Sequence, residues 1–358
     1  MMDTSEFQTI KNQGVELLKV LISTPSLSRN ESQTATIIED FFSSKQIKTR
    51  RKQNNVWACN QYFDAAKPTI LLNSHHDTVK PNPSWTLNPF EAIEKNSKLY
   101  GLGSNDAGGA LTCLITAFCY FNLNPDLKYN LILAATAEEE ISGREGIESI
   151  LKELPAIDFA IIGEPTLMQL AIAEKGLLVL DCTAHGRSGH AAREEGENAI
   201  YKALNDIDWI RNYQFSKVSK ILGTVKMAVT IINAGTQHNV VPDVCKFTID
   251  VRVTEKYSLE EVIEIIKQNI VSDVQPRSVR LKSSGISSQH PIVQAGISLG
   301  MQTYGSPTMS DQALLNCPSL KIGPGDSKRS HSADEFIYLQ ELDEGVELYV
   351  SLLKKVLL

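Results

Sequence analysis

The residue types best suited to chemistry in this chain are histidines and carboxylates that appear where apolar runs break off. In ILLNSHHDTV, residues 70–79, a run of strand length stops at His75, His76 and Asp77. Side chains alternate across a strand, so His75 and Asp77, two positions apart, can share one side of a sheet edge. A metal-bound imidazole commonly gives its other N–H to a carboxylate, and this spacing offers that pairing. The competing reading is a polar loop after a buried strand. LILAAT runs into Glu138, Glu139 and Glu140, and the run at 159–162 ends at Glu164 and Pro165. The short run at 318–322 leads through GPGDSKRS to His331 and the acids Asp334 and Glu335. Asp106 lies in a glycine-rich loop, GSNDAGG, where a helix N-cap is the plainer role. Three acids at a helix start can likewise be dipole complements.

Two histidines and several carboxylates, with no thiolate among them, are borderline-hard ligands that suit Zn²⁺ or Co²⁺ better than Ca²⁺ or Cu⁺. A pair of such ions roughly 3.5 to 4 Å apart holds a hydroxide and polarises a carbonyl, the usual arrangement for metal-assisted amide hydrolysis. One carboxylate must then stay free to take a proton from water and pass it to the leaving amine. Adjacent Glu139 and Glu140 can divide those roles.

The elements that must position these residues follow from periodicity. Helical spacing covers 4–22, closed by Pro25, and 33–44; strands are expected at 55–60 and 70–73. Pro81, Pro83 and Pro89 mark an irregular loop, and an apolar helix is expected over 108–121 and another over 143–154. Strands interleaved with helices imply an α/β architecture, an open and mostly parallel sheet flanked by helices. Ligands of such sheets bind outside the carboxyl ends of the strands, which is where His75, Glu140, Glu164 and His331 fall. Between 174 and 289 the order changes to strand 177–184, helix 197–213, strands 227–233 and 246–253, helix 259–271 and strand 278–282. This is the βαββαβ order of a ferredoxin-like α+β unit, and Ser258 with Glu261 makes a capping box for its second helix. A discontinuous domain of 1–173 and 290–358 thus carries an insert at 174–289, and helices at 292–304 and 339–353 complete it.

Composition excludes several classes. With 358 residues, 42% hydrophobic and 22% charged, the chain reads as a globular protein of two domains. Its net charge of −7 gives no basic footprint for nucleic acid. The six cysteines, scattered without short paired spacings, read as buried thiols of a reducing compartment rather than a zinc ribbon or disulfide framework. MMDTSEF carries acids where a secretory signal needs basic residues, and no apolar run is of membrane-spanning length, so a cytoplasmic protein without membrane partners is expected.

Taken in order, HHD (75–77), GSND (103–106), TAEEE (136–140), IIGEPT (161–166), SGHAA (188–192), HNVVPD (238–243) and HSADE (331–335) resemble the motifs of a co-catalytic zinc hydrolase family. It is the family of acetylornithine deacetylase, succinyl-diaminopimelate desuccinylase, aminoacylase and glutamate carboxypeptidase. The resemblance spans almost the whole chain, and IGEPT and GPGD look most like the acetylornithine deacetylase branch. It implies two zinc ions, cobalt serving in their place: one held by His75, Glu164 and a bridging Asp106, the other by His331, Glu140 and the same Asp106. It further implies that Asp77 orients His75 and that Glu139 is the general base and acid. The insert would make a homodimer, from which His190 reaches the partner's site to stabilise an oxyanion. Asn239 and Arg252 resemble positions that bind a substrate carboxylate. The chain departs from the family's pattern after Asp106, where Ala107 and Gly108 replace a bulky residue and a lysine, and at His76, where a small or apolar residue is common.

The substrate expected from this resemblance is a small N-acyl-amino acid, N-acetyl- or N-succinyl-ornithine of arginine biosynthesis. Succinyl-diaminopimelate and di- or tripeptides are the alternatives within the same chemistry. Lys328 and Arg329 read either as a surface charge pair or as partners of a substrate carboxylate, the latter favouring a succinyl group. His185, His238 and His290 read as ordinary polar or capping residues. A non-catalytic binding protein on the same fold would have lost Glu139 or a ligand, and none is missing; a serine hydrolase would need a GxSxG elbow, whereas Ser188 lies within the insert.

Overall fold

The computed structural model describes residues 3–193 and 195–358; Met1 and Met2, which open the MMDTSEF stretch, and Glu194 lie outside them. The chain divides into two compact units. The first comprises Met1–Ile172, Gly285–Tyr304 and Ser310–Leu358, and the second Ala173–Ser284 with Gly305–Met309.

In the first unit the apolar runs form the middle of a mixed sheet. Its strand order is Thr49–Lys52, Asn55–Cys59, Asn130–Thr136, Thr69–His75, Phe159–Gly163, Ser319–Ile322 and Leu170–Glu174. The four strands from Asn130–Thr136 to Ser319–Ile322 are mutually parallel, with antiparallel neighbours on either side. Every residue of Thr69–His75 and Asn130–Thr136 is buried, as a parallel sheet covered on both faces requires. Alternation sorts the side chains. Ile70, Leu72, Leu133, Ile161 and Leu320 pack with helices Thr4–Ile22, Ser32–Ser44, Gly109–Phe121 and Leu339–Leu357, while Leu71, Ile132 and Ile162 face Trp57, Ile147 and Ile150. Burying each such side chain contributes about 1.5 to 3 kcal/mol. The register pairs His75 with Thr136, Asn73 with Ile162 and Ile322 with Gly163, so all four strands end at one edge.

The second unit has the ferredoxin-like arrangement. Its antiparallel sheet runs Lys226–Ala234, Val244–Val253, Gly176–His185, Asp273–Pro276, with helices Ala199–Asn212 and Leu259–Lys267 over a core that includes Leu180, Phe247, Val251 and Val262. Both halves of the Ser258–Glu261 capping box are formed.

Three elements differ most from expectation. The fourth strand of the second unit is Asp273–Pro276, not 278–282, because Val274 pairs with Cys182 and Pro276 ends the ladder. The helix expected over 143–154 shortens to Ile147–Ile150. Gly143 and Gly146 are packed so tightly on Glu138 and on the Ala137 carbonyl that a Cβ on either would collide, which commits 142–146 to a turn. The helix expected over 292–304 is Pro291–Ser298, ended by Gly300 at φ 87°, with Met301 N–H returning to the Gly296 carbonyl. Among the described residues no helix is long and apolar enough to cross a membrane, and all six cysteines are free thiols, four of them buried.

Candidate metal centre

Four strand ends of the first unit, with the loop that precedes the helix Gly109–Phe121, bring together His75, Asp77, Asp106, Glu139, Glu140, Glu164 and His331. His75 is the last residue of its strand and is buried; its Nδ1–H donates to the Asp77 carbonyl oxygen at 2.9 Å, with the Asp77 carboxylate 3.5 Å away. That bond fixes the ring and leaves Nε2 facing outward, 3.4 Å from Asp106 Oδ1 and 4.0 Å from both Glu139 Oε2 and Glu164 Oε1. Three carboxylates therefore surround one ring nitrogen.

Asp77 is buried and fully engaged. Its carboxylate accepts from the backbone N–H of Glu139 and Glu140, at 3.0 and 3.2 Å, and from Ser28 Oγ at 2.7 Å. It thereby pins the short turn Glu139–Ile141 against the end of the His75 strand. Asp106 points one oxygen at His75 and the other at His331 Nε2, 3.6 Å away, and His331 Nε2 lies 2.9 Å from Glu140 Oε2. Ligand-type atoms of His75, Asp106 and Glu140 all fall within 4.8 Å of one another.

The loop around Asp106 accommodates the departure at 107–108. Gly103 has φ 78°, and a Cβ on Gly108 would stand 2.5 Å from the Gly103 carbonyl oxygen, so the loop closes on itself where a side chain would not fit. His76 turns the other way: its ring lies between Thr34 Oγ1 at 2.9 Å and the Asn54 carbonyl at 2.8 Å, away from the carboxylates.

The electrostatics fit a cation. Burial pushes Glu139 well above the usual carboxylate range, with His75 opposing and Glu164 and Asp311 adding, and burial with the charge of Asp106 pushes Glu164 up to about 8. Burial pulls His75 down, but hydrogen bonds to the Asp106 and Asp77 carboxylates outweigh it and hold the ring well above its ordinary value. The bond to Glu140, against partial burial, raises His331 to about 9. Protons thus stand where divalent cations would relieve the same crowding of negative charge. The imidazoles of His75 and His331 with the carboxylates of Asp106, Glu140 and Glu164, and no thiolate, form a donor set that zinc or cobalt accepts.

The structure adds residues that the sequence did not single out. Asp311, in the short helix Asp311–Leu314, is buried and accepts from Thr136 Oγ1 at 2.7 Å; burial raises it to about 6, with Thr136 and the charge of His75 opposing. Its only local signal is Ser310, which caps that turn, a pattern that reads as an ordinary cap. Arg329 corrects an expectation. It is 15% exposed, gripped through two nitrogens by Glu341 at 2.8 and 2.5 Å and stacked 4.9 Å over Phe336, so it is neither a surface charge nor available to a substrate. Lys328 is exposed.

His190, Asn239 and Arg252 belong to the second unit. His190 is exposed on the pair Gly189–His190 with Val240–Val241, its Nδ1 accepting from Ala192 N–H at 3.1 Å, and Asn239 is the neighbouring residue whose carbonyl takes Ala191 N–H. Arg252 is half-buried and its guanidinium is bound at 2.8 and 3.0 Å by both oxygens of Asp250, two residues before it on the same strand face. His185 pairs with Asp273, His290 caps the helix Pro291–Ser298, and His238 is exposed.

Residues 71–355 match the description of peptidase family M20/M25/M40. An acetylornithine deacetylase of Proteus mirabilis is 26% identical, over 95% of this chain and 96% of its own length. A succinyl-diaminopimelate desuccinylase of Corynebacterium glutamicum is also 26% identical, over 92% and 93% of the two chains. Among solved structures, an M20 family metallo-carboxypeptidase of Sulfolobus solfataricus superposes with a TM-score of 0.77 at 16% identity, covering 96% of this chain and 99% of its own, a likeness of fold.

Proposed function

The chain belongs to peptidase family M20/M25/M40, a hydrolase family, and we propose that it cleaves the amide bond of an N-acyl-amino acid, N-acetyl- or N-succinyl-ornithine, with two divalent ions. The observation that carries this reading is the aim of Asp106, one oxygen toward His75 at 3.4 Å and the other toward His331 at 3.6 Å. A carboxylate so placed suits a bridge: His75, Glu164 and Asp106 would hold one ion, and His331, Glu140 and Asp106 the other. When bound, a pair of ions supplies an activated water and polarises the scissile carbonyl.

The chain's own groups do the rest. Asp77 keeps His75 in the tautomer that presents Nε2. Glu139, held by its backbone to Asp77, takes the proton of the attacking water and returns it to the leaving amine, and a carboxylate raised by burial is suited to that exchange. His190 would donate to the developing oxyanion from a partner subunit, and Asn239 would bind the substrate carboxylate. Arg252 could join it only by loosening its grip on Asp250. Dimerisation through the second unit is favoured by the edge strand Lys226–Ala234, on which Ile231 and Ile232 are about half exposed, and by Tyr201 and Leu204 exposed on the helix Ala199–Asn212.

The relatives' names support an acylated amino acid as substrate. With Arg329 committed to Glu341, the succinyl preference rests on Lys328 alone, so acetyl and succinyl stand level. Metal analysis with steady-state kinetics on N-acetyl-ornithine, N-succinyl-ornithine, N-succinyl-diaminopimelate and a tripeptide tests the reading. About two ions per chain are expected, with activity lost to chelator, restored by zinc or cobalt, and greatest on an acyl-ornithine. A metal-free active enzyme overturns the mechanism, and a preference for peptides overturns the substrate.

A further inference from the structure

The two loops that meet at the candidate centre are far apart in the chain, and a buried acid outside the donor set joins them. Glu335 is 2% exposed, and its Oε1 accepts the backbone N–H of both Asn105 and Asp106, at 2.8 and 2.9 Å. Its own carbonyl takes Gly101 N–H at 3.0 Å, and the strand it opens, Phe336–Tyr338, pairs with Lys98–Tyr100. Asn105 answers from the other side: its Oδ1 accepts Asp326 N–H at 3.0 Å and its Nδ2 donates to the Asp326 carbonyl at 3.1 Å. The segment carrying His331, between Asp326 and Glu335, is thus laced at both ends to the two residues that end the GSND loop.

We propose that Glu335 is a positioning residue that ties the loop of Asp106 to the loop of His331 and so fixes the separation of the two ion positions. This rests on the two-ion reading above. Neither loop is held in a regular element at the point that matters: Asp106 has non-helical torsions, and His331 sits at φ 58° with its side chain about half exposed. The oxygen of Glu335 converts them into one piece. Burying a carboxylate is costly unless its lone pairs are taken, and here adjacent N–H groups converge on one oxygen. The demand is therefore for an acceptor at that point, reached by a side chain of glutamate length. Groups that orient first ligands in this way commonly change metal affinity about 10- to 100-fold when removed.

The position that Asp106, Glu140 and His331 would hold depends on the lacing more than the one that His75, Glu164 and the shared Asp106 would hold, because His75 and Glu164 stand at paired strand ends. The test is calorimetric titration of the metal-stripped full chain with Co²⁺ and Zn²⁺, with Co²⁺ absorption to follow each position, for wild type, Glu335→Gln, Glu335→Asp and Glu335→Ala. Glutamine keeps an acceptor at the same reach, so E335Q should bind both ions like wild type. E335D and E335A should keep the first ion and weaken the second about 10- to 100-fold, with the thermal midpoint of E335D close to wild type. Should E335A fail to fold, the E335Q and E335D pair decides. Two ions bound as tightly in E335D as in wild type overturn the proposal, as does E335Q behaving like E335A, or equal loss at both positions together with a lowered midpoint. A wild-type chain that binds no ion at all removes the metal reading itself, an outcome separate from these.

Discussion

The carboxylate of Asp77 accepts the backbone N–H of Glu139 at 3.0 Å, although Asp77 is also the residue whose carbonyl fixes the ring of His75. One buried acid therefore aligns the first proposed ligand and the proposed proton carrier, and it holds Glu139 by its main chain.

Because that hold does not involve the Glu139 side chain, Glu139→Gln should leave the turn and the bound metal intact while turnover falls about 10²- to 10⁴-fold. Metal content by mass spectrometry and kcat on the same preparation check this. If metal leaves with activity, the roles assigned to Glu139 and Glu140 are exchanged.

His190 is exposed and bonded to a nearby backbone N–H, so its removal should disturb little else. For His190→Ala the expected result is a fall in kcat of about 10²- to 10³-fold, the size typical of losing one oxyanion donor, with an unchanged circular dichroism spectrum. Turnover near that of wild type would take His190 out of the mechanism.

His76 gives a stability signature. Burial drives its pKa down to about 4 against an ordinary 6.5, despite the hydrogen bond to Asn54, so the folded chain refuses a proton that the unfolded chain binds. More protons are then bound unfolded between these two values, and stability from this group is fully present above pH 6.5 and is lost as pH falls toward 4. The shift corresponds to about 3 kcal/mol at most. Urea midpoints at pH 7.5 and 5 should diverge by less in His76→Gln than in wild type; equal divergence would place the acid sensitivity elsewhere.

Much of the centre was legible because strand ends announce themselves. Apolar runs that stop in His75, Glu140 and Glu164 needed only the rule that α/β sheets bind at the carboxyl edge. The parallel register then brings His75 level with Thr136 and Ile322 level with Gly163. What the sequence hid were contacts between distant turns. Asp311 looks like the start of a capped turn, and only the tertiary structure lays it against Thr136. Glu335 is visible as an acid after His331, yet the N–H groups that donate to its carboxylate lie more than two hundred positions away, at separations of 230 and 229 residues. Arg329 misled for the same reason, since Glu341 meets it from the start of the Leu339–Leu357 helix. Local spacing also gave the second unit's final strand the wrong residues, because Val274, not the 278–282 segment, fills the register beside Cys182.

The parallel pairing of Asn130–Thr136, Thr69–His75, Phe159–Gly163 and Ser319–Ile322 has a kinetic side. Each of these neighbours is brought together across a long stretch of chain, and ordering such loops must precede the contacts that reward it. A folding intermediate that has paired the first three strands would already present His75 and Glu164 but not His331. On the two-ion reading, the position that includes His331 would then be complete only once Ser319–Ile322 has joined the sheet.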